Sequence, residues 1–393
     1  MKLLLITSHF PSYDSPDSSY ATPFLFNYAR EWAKNGHEVH VVHFSRHYPK
    51  GFNFIANTLY KIGYTKLKKY VINPKAQVDK KYDYEGVIVH RIGFLKTIPH
   101  GFASDKTVRY LYEKVLKIIN NEVNLPDLII GDCVDPVISV VDKVRKKNQI
   151  RYCQILHDSD FIALENKRIA TIAKQADCII LRSKKQYPKA YQLLGEQTYT
   201  YMFSGIPETV IDKDFEPRRK IKELIYVGAL YRSKGIETIL QGLRAAKEKD
   251  YHLKIIGDGV DADYFKKKVA ELELEDQVEF VGKVPHNEVF SYLRKADMLL
   301  LISEETFGMV YIEAMSQGCV PVGAKDEGID GIVVNGENGY LLNLGDYAGL
   351  AELLDTISRY SEEQIKIISM NAYKTASKMT DAMLAEDLLN RIQ

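Results

Sequence analysis

Short apolar runs alternate with segments of helical period along nearly the whole chain. The runs read as strands at Lys2–Thr7, Glu38–Phe44, Val87–Ile92, Leu128–Ile130, Tyr152–Leu156 and Cys178–Leu181. Between them the spacing predicts helices over Phe24–Lys34, Lys106–Asn121 and Pro136–Lys146. After residue 220 the pattern restarts. Strands are expected at Glu223–Val227, His252–Ile256, Val278–Val281, Met298–Ile302 and Val320–Val322, with helices near Gly235–Lys247, Ala262–Glu271, Glu288–Arg294 and Met309–Gln317. A last helix at about Asp381–Gln393 follows a long helical stretch. Strand–helix alternation predicts an α/β protein whose parallel sheets are covered on both faces. Two successive series predict two Rossmann-like, doubly wound domains that bind ligands at the C-terminal ends of their strands. The expected division is 1–204, a linker at 205–222, 223–375, and a C-terminal helix, 376–393, packing back on the first domain. Ser204-Gly205-Ile206-Pro207 and Glu216-Pro217-Arg218-Arg219-Lys220 set the linker, since proline, glycine and charge break the pattern there.

Length and charge narrow the function classes. The chain has 393 residues, with 53 basic against 52 acidic side chains. A general nucleic-acid binder needs a basic excess or stripe to neutralise phosphates, so that class is excluded. An apolar fraction of 46% excludes a disordered chain. Apolar runs such as Met298–Ile302 are far too short to cross a bilayer, which takes about 20 residues. The N-terminal Lys2-Leu3-Leu4-Leu5-Ile6 is shorter than the apolar region of a secretory signal and reads as a first strand. Cys133, Cys153, Cys178 and Cys319 lack CxxC spacing, and three sit in apolar runs. A reduced, cytoplasmic protein is expected.

One segment departs from the alternation. Between 50 and 82, Lys50, Lys61, Lys66, Lys68, Lys69, Lys75, Lys80 and Lys81 face only Asp79 as an acid, with Phe52, Phe54, Tyr60, Tyr64 and Tyr70 interleaved. Two readings stay open: a solvated insertion whose aromatics pack on the domain, or a surface touching anionic lipid or a lipid-linked acceptor at the inner face of the membrane.

Three turns at strand ends carry candidate chemistry. Glu305-Thr306-Phe307-Gly308-Met309-Val310-Tyr311-Ile312-Glu313 follows a buried strand and opens a helix. Gly308 permits a tight turn, and the amides of Gly308, Met309 and Val310 at the helix start suit an anion such as a diphosphate. Glu305 and Glu313 flank that position and are suited to accept hydrogen bonds from sugar hydroxyls. Val227-Gly228-Ala229-Leu230-Tyr231-Arg232-Ser233-Lys234-Gly235 places a lysine beside a glycine at a helix start; it is either a phosphate counterion or a solvated side chain. Ile256-Gly257-Asp258-Gly259 is a further glycine turn, equally consistent with a plain strand–helix connection.

In this order the three turns resemble the C-terminal domain of the two-Rossmann GT-B glycosyltransferases, most of all family 4, the retaining glycogen-synthase-like group. Val281-Gly282-Lys283-Val284, Gly318-Cys319-Val320-Pro321-Val322 and Gly336-Glu337-Asn338-Gly339-Tyr340 extend the resemblance, which is specific over about 222–345 and weaker over 1–50. It implies two domains facing a central cleft that closes on a nucleotide-sugar donor and a glycan or lipid-linked acceptor. Lys234 would contact the donor diphosphate. Glu305 would bind the donor sugar, Glu313 the ribose, and Gly308, Met309 and Val310 the phosphate. Gly257 would lie at the donor, and Lys283 and Val284 would line the base. His157, in Leu156-His157-Asp158, would face the donor sugar from domain one. The chain departs from the family at Ala229, where arginine is common and Arg232 is the substitute. Ser18-Ser19-Tyr20-Ala21-Thr22 stands in place of a glycine-rich loop, and Lys325-Asp326-Glu327-Gly328-Ile329 in place of a glycine pair.

The resemblance implies retention of anomeric configuration, a hexose donor on UDP or GDP, a role in cell-surface polysaccharide assembly, and no cofactor or metal. Asp158-Ser159-Asp160 and Asp261-Ala262-Asp263 are DxD sequences, but basic side chains and helix amides replace a metal in this fold. Other readings are a non-catalytic partner subunit, a sugar-nucleotide 2-epimerase, or a phosphorylase. No GxGxxG follows the first strand, and no hydrolase elbow or HExxH occurs.

Overall fold

The computed structural model describes residues 1–11, 23–47, 79–96 and 102–393. The loop at 18–22 and residues 50–78 of the basic aromatic segment lie outside the described residues. The chain forms two compact units. One comprises Met1–Arg182, Gln186–Met202 and Ala385–Gln393; the other comprises Ser183–Lys185 and Phe203–Leu384.

The first unit is built on β1, Lys2–Thr7, whose Leu3, Leu4, Leu5 and Ile6 are fully buried. A strand apolar on both faces belongs inside a parallel sheet with helices on either side. β1 pairs in parallel with β2 (Glu38–His47) and with β5 (Leu128–Asp132). The sheet continues outward through β4 (Val87–Leu95) on one side and β6 (Arg151–Leu156), β7 (Cys178–Leu181) and β8 (Tyr199–Tyr201) on the other. β3 (Lys80–Tyr84) closes the β4 edge and is antiparallel. This corrects the all-parallel expectation and moves Lys80 and Lys81 from an insertion into a strand. Glu85 and Gly86, both at positive φ, make the two-residue turn that joins β3 to β4. Turns of that kind match the right-handed twist of a hairpin. The charges of β3 suit an edge, where they discourage further pairing.

The second unit repeats the plan. β9 (Glu223–Val227) is central, with β10 (His252–Ile256) and β11 (Val278–Gly282) on one side. On the other lie β12 (Met298–Leu300), β13 (Val320–Ala324) and β14 (Tyr340–Leu342), all parallel. In each unit the chain first builds outward from the central strand, then returns to its other side. The switch points therefore fall between β1 and β5 and between β9 and β12. Open α/β sheets bind ligands beyond the strand ends at such points.

The span 205–222 is packed into the second unit. The Arg218 guanidinium donates to the carbonyls of Ala296 (2.9 Å), Arg294 (2.7 Å) and Gln317 (2.8 Å). Arg294 pairs with Asp212 at 2.9 Å. A charge cluster that looks like a linker is here a set of ties to the ends of helices. The helix Asp381–Ile392 crosses the division, and from Ala385 onward it belongs to the first unit. The buried indole of Trp32 donates to the Ala385 carbonyl at 2.8 Å, and Arg391 donates to Thr200 Oγ1 at 2.7 Å. All four cysteines are buried thiols. No helix among the described residues is long and apolar enough to cross a membrane.

Several imidazoles are buried in the first unit. Burial is the main cause that holds the His90 ring near 4, outweighing the opposing Glu122 carboxylate. An unfolded ring takes its proton near 6.5, so this neutral ring costs stability as pH falls from about 6.5 toward 4. Asp160, raised to about 6 chiefly by burial, works in the opposite sense. His90→Gln should remove the His90 share, about 2 kcal/mol, from the difference in stability between pH 4.5 and 7.5, read from denaturation at both.

Candidate functional site

In the second unit the turn after β9 is clamped against the turns beside it. A Cβ on Gly257 would lie 1.8 Å from the Gly228 carbonyl oxygen, and one on Gly235 would lie 2.1 Å from that of Ile302. Both glycines have positive φ. Backbone thus meets backbone at the β9/β12 switch point, and no larger residue fits either position. This contact carries Lys234 to the end of β12. Its Nζ lies 2.6 Å from Glu305 Oε1, to which Ser303 Oγ also donates at 3.0 Å. Both members of the ion pair are partly buried, and hydrogen bonds between charged groups are the strong ones.

Glu305 is fixed through its backbone as well. Its N–H donates to the buried Glu327 carboxylate at 3.2 Å, and its carbonyl accepts from the Gly328 N–H at 3.0 Å. Gly308 follows in the left-handed conformation at φ 81° and opens the helix Met309–Met315. Here too a side chain is excluded, since a Cβ would lie 2.5 Å from the Tyr311 ring. The first amides of a helix have no partner within it, so those of Met309 and Val310 are available at this end. Glu313, buried in the same helix, accepts from His286 Nε2 at 2.9 Å. That hydrogen bond raises the His286 pKa.

Arg232 stacks its guanidinium 4.0 Å from the centre of the Tyr264 ring and lies 3.4 Å from Asp261 Oδ1, so its charge is engaged away from Glu305. Lys283 and Val284 follow β11 at its C-terminal end, with Lys283 exposed. The carboxylates of Asp158-Ser159-Asp160 are committed to local bonds. Asp158 accepts from Gln186, and Asp160 from the N–H groups of Val134 (3.1 Å) and His157 (2.9 Å).

The first unit has its own polar cluster at its switch point. Thr7 and Asp132 are register partners across β1 and β5, and Thr7 Oγ1 donates to Asp132 Oδ2 at 2.6 Å. His157 Nε2 lies 2.7 Å from Asp132 Oδ1. Asp132 is fully buried. Burial alone would raise its pKa, but His157 and Thr7 outweigh it and the net shift is downward. Burial likewise opposes the charged form of His157, yet the Asp132 carboxylate raises its pKa overall. Each partner thus favours the charged form of the other. Beside it His9 Nδ1 contacts Cys133 Sγ at 2.9 Å, and Arg46 lies 3.2 Å from His9 Nε2. Ligand atoms of Asp132, Cys133 and His157 lie within 4.8 Å of one another. Burial pushes the Cys133 thiol well up, and Asp132 is engaged by Thr7 and His157.

Sequence reasoning singled out His157, Lys234, Glu305 and Glu313, noted Glu327 only as part of a variant loop, and passed over Asp132, Thr7 and His286. The strand that begins at Leu128 is expected from sequence to end at Ile130, which leaves Asp132 outside it, whereas the strand runs on to Asp132. An acid directly after an apolar strand run was the available signal.

The chain resembles known proteins at three levels. Residues 208–375 match the family of group 1 glycosyl transferases. N-acetyl-alpha-D-glucosaminyl L-malate synthase of Bacillus anthracis is 24% identical over 333 residues, covering 82% of this chain and 80% of that one. The putative teichuronic acid biosynthesis glycosyltransferase TuaC of Bacillus subtilis is 25% identical over 402 residues, covering 97% and 95%. The crystal structure of Anabaena HepE in complex with UDP superposes with a TM-score of 0.66 at 19% identity, covering 99% of each chain.

The Asp132 carboxylate is expected to set the protonation of His157. In the NMR titration of the ring, the wild-type pKa should lie above 6.5. Asp132→Asn should bring it below 6.5, because burial then acts without the opposing charge.

Proposed function

We propose that this chain, a glycosyltransferase of the two-domain GT-B class, moves a hexose from a nucleoside diphosphate to a glycan acceptor with retention of anomeric configuration. The observation that carries the proposal is the Lys234–Glu305 pair at the β9/β12 switch point, 2.6 Å apart and next to the left-handed Gly308. Glu305 and Glu313 stand at the spacing characteristic of family 4, and that resemblance supports retention.

In the proposed reaction the bond between the anomeric carbon and the diphosphate oxygen breaks. A bond to an acceptor hydroxyl oxygen forms, and the proton of that hydroxyl leaves with the nucleoside diphosphate. Negative charge grows on the departing diphosphate, where Lys234 and the amides of Met309 and Val310 would stabilise it. Glu305 would hold the sugar hydroxyls and Glu313 the ribose. Gly257, Lys283 and Val284 would border the nucleoside, and His157 is proposed to contact the sugar. Arg232 would reach the phosphate only after leaving Asp261 and Tyr264.

A UDP-sugar is the favoured donor, with a GDP-sugar next; the UDP in the structure of HepE supports the former. The acceptor is proposed to be a growing surface glycan, free or lipid-linked, and the name of TuaC supports a place in surface-polymer assembly. No metal is proposed to take part.

The test is nucleotide release from a panel of UDP-, GDP- and ADP-sugars with EDTA present, for wild type and Glu305→Ala. Release from one donor class is expected, lowered about 100- to 1,000-fold by the substitution. Equal release by the variant would overturn the role of Glu305. Release only after magnesium or manganese is restored would overturn metal independence.

A further inference from the structure

We infer that Glu327 is a positioning residue for Glu305, acting through the Glu305 backbone; the inference rests on the reading of Glu305 given above. Glu305 lies in an irregular stretch between the end of β12 and the helix that begins at Met309. No sheet or helix ladder satisfies its peptide groups. An N–H in such a place must find an acceptor or carry the cost of desolvation. It finds the buried carboxylate of Glu327 at 3.2 Å. One residue further, the Gly328 N–H donates back to the Glu305 carbonyl at 3.0 Å. Two hydrogen bonds in opposite senses therefore lock the peptide groups of Glu305 to the 327–328 loop.

The loop is itself held in place. A Cβ on Gly328 would lie 2.4 Å from the carbonyl of Thr306, so the two segments are in backbone contact. Asp326 is left-handed at φ 59°, and its N–H donates to Asp330 Oδ2 at 2.7 Å. Lys185, in the same unit, places its Nζ 2.6 Å from Glu327 Oε2 and fixes that carboxylate. The side chain of Glu305 is aimed by Lys234 and Ser303. Its Cα is aimed by Glu327. A carboxylate that must meet a sugar hydroxyl within hydrogen-bond reach depends on both, and a misplacement of about 1 Å can cost roughly 100-fold in rate.

Two substitutions separate acceptor from charge. Glu327→Gln keeps an oxygen for the Glu305 N–H and discards the charge that pairs with Lys185. Glu327→Leu keeps similar volume and discards both. With the donor found active for wild type, Glu327→Leu is expected to lower kcat by on the order of 10- to 100-fold. Its donor KM and its nucleoside diphosphate affinity should stay within about twofold, since Lys234 and the helix amides are untouched. Glu327→Gln should restore kcat to within about threefold of wild type. Hydrogen exchange of the Glu305 amide, read by NMR without substrate, should accelerate about tenfold or more in Glu327→Leu and little in Glu327→Gln. Unchanged exchange in Glu327→Leu would overturn the inference, as would an undiminished kcat. Equal loss of kcat in both variants would make the charge, not the acceptor, the active feature, and would overturn it too. If wild type releases nucleotide from no donor, the transfer reading fails separately, and the exchange measurement still decides whether Glu327 holds Glu305.

Discussion

A parallel sheet buried on both faces has nowhere to place polar chemistry except at its strand ends. That constraint shapes both units. Leu3 to Ile6 in β1 and Leu224 to Tyr226 in β9 are buried almost completely, so their strands offer no exposed face. What each unit can do is concentrated where its central strand finishes and the winding reverses. At one switch point stand Thr7, Asp132 and His157; at the other, Lys234, Glu305 and the Gly308 turn. The glycines at 235, 257 and 328 follow from the same crowding, because several strand ends deliver their loops to one small region.

Both clusters hold a basic side chain against a carboxylate at about the closest distance a hydrogen bond allows, 2.7 Å for His157 with Asp132 and 2.6 Å for Lys234 with Glu305. Taking charge out of water is costly unless it is paired and its remaining positions are satisfied. Thr7 completes Asp132, while Ser303 completes Glu305. The pairs fix side-chain geometry before any ligand arrives, which is what preorganised electrostatic stabilisation demands.

Most of the strands, and the residues that meet at the β9/β12 switch point, were legible in the sequence, for a physical reason. Fully buried strands are written as continuous apolar runs, and a glycine turn directly after such a run marks the strand's C-terminal end. β3 escaped because Lys80-Lys81-Tyr82-Asp83-Tyr84 is polar, as an edge strand can be, and because Glu85-Gly86 is not a familiar hairpin dipeptide. β8 and β14 span three residues each, too few to show a period. Glu327 and His286 gain their meaning from partners 22 and 27 residues away, across loops that no local pattern connects. The same holds for Arg232, whose capture by Asp261, 29 residues on, is a tertiary fact. The charges of 216–220 looked like a linker because sequence shows charge but not the helix-end carbonyls that Arg218 satisfies.

The passage of the Asp381–Ile392 helix from one unit to the other has a consequence for how the molecule comes into being. The first unit holds Met1–Arg182, which leave the ribosome before the 203–384 span, and also Ala385–Gln393, which leave after it. Until then the Trp32 indole lacks the Ala385 carbonyl, and Thr200 lacks Arg391. The nascent first unit therefore lacks its closing helix while the second unit is synthesised. Of the two units, the one begun first is the one completed second.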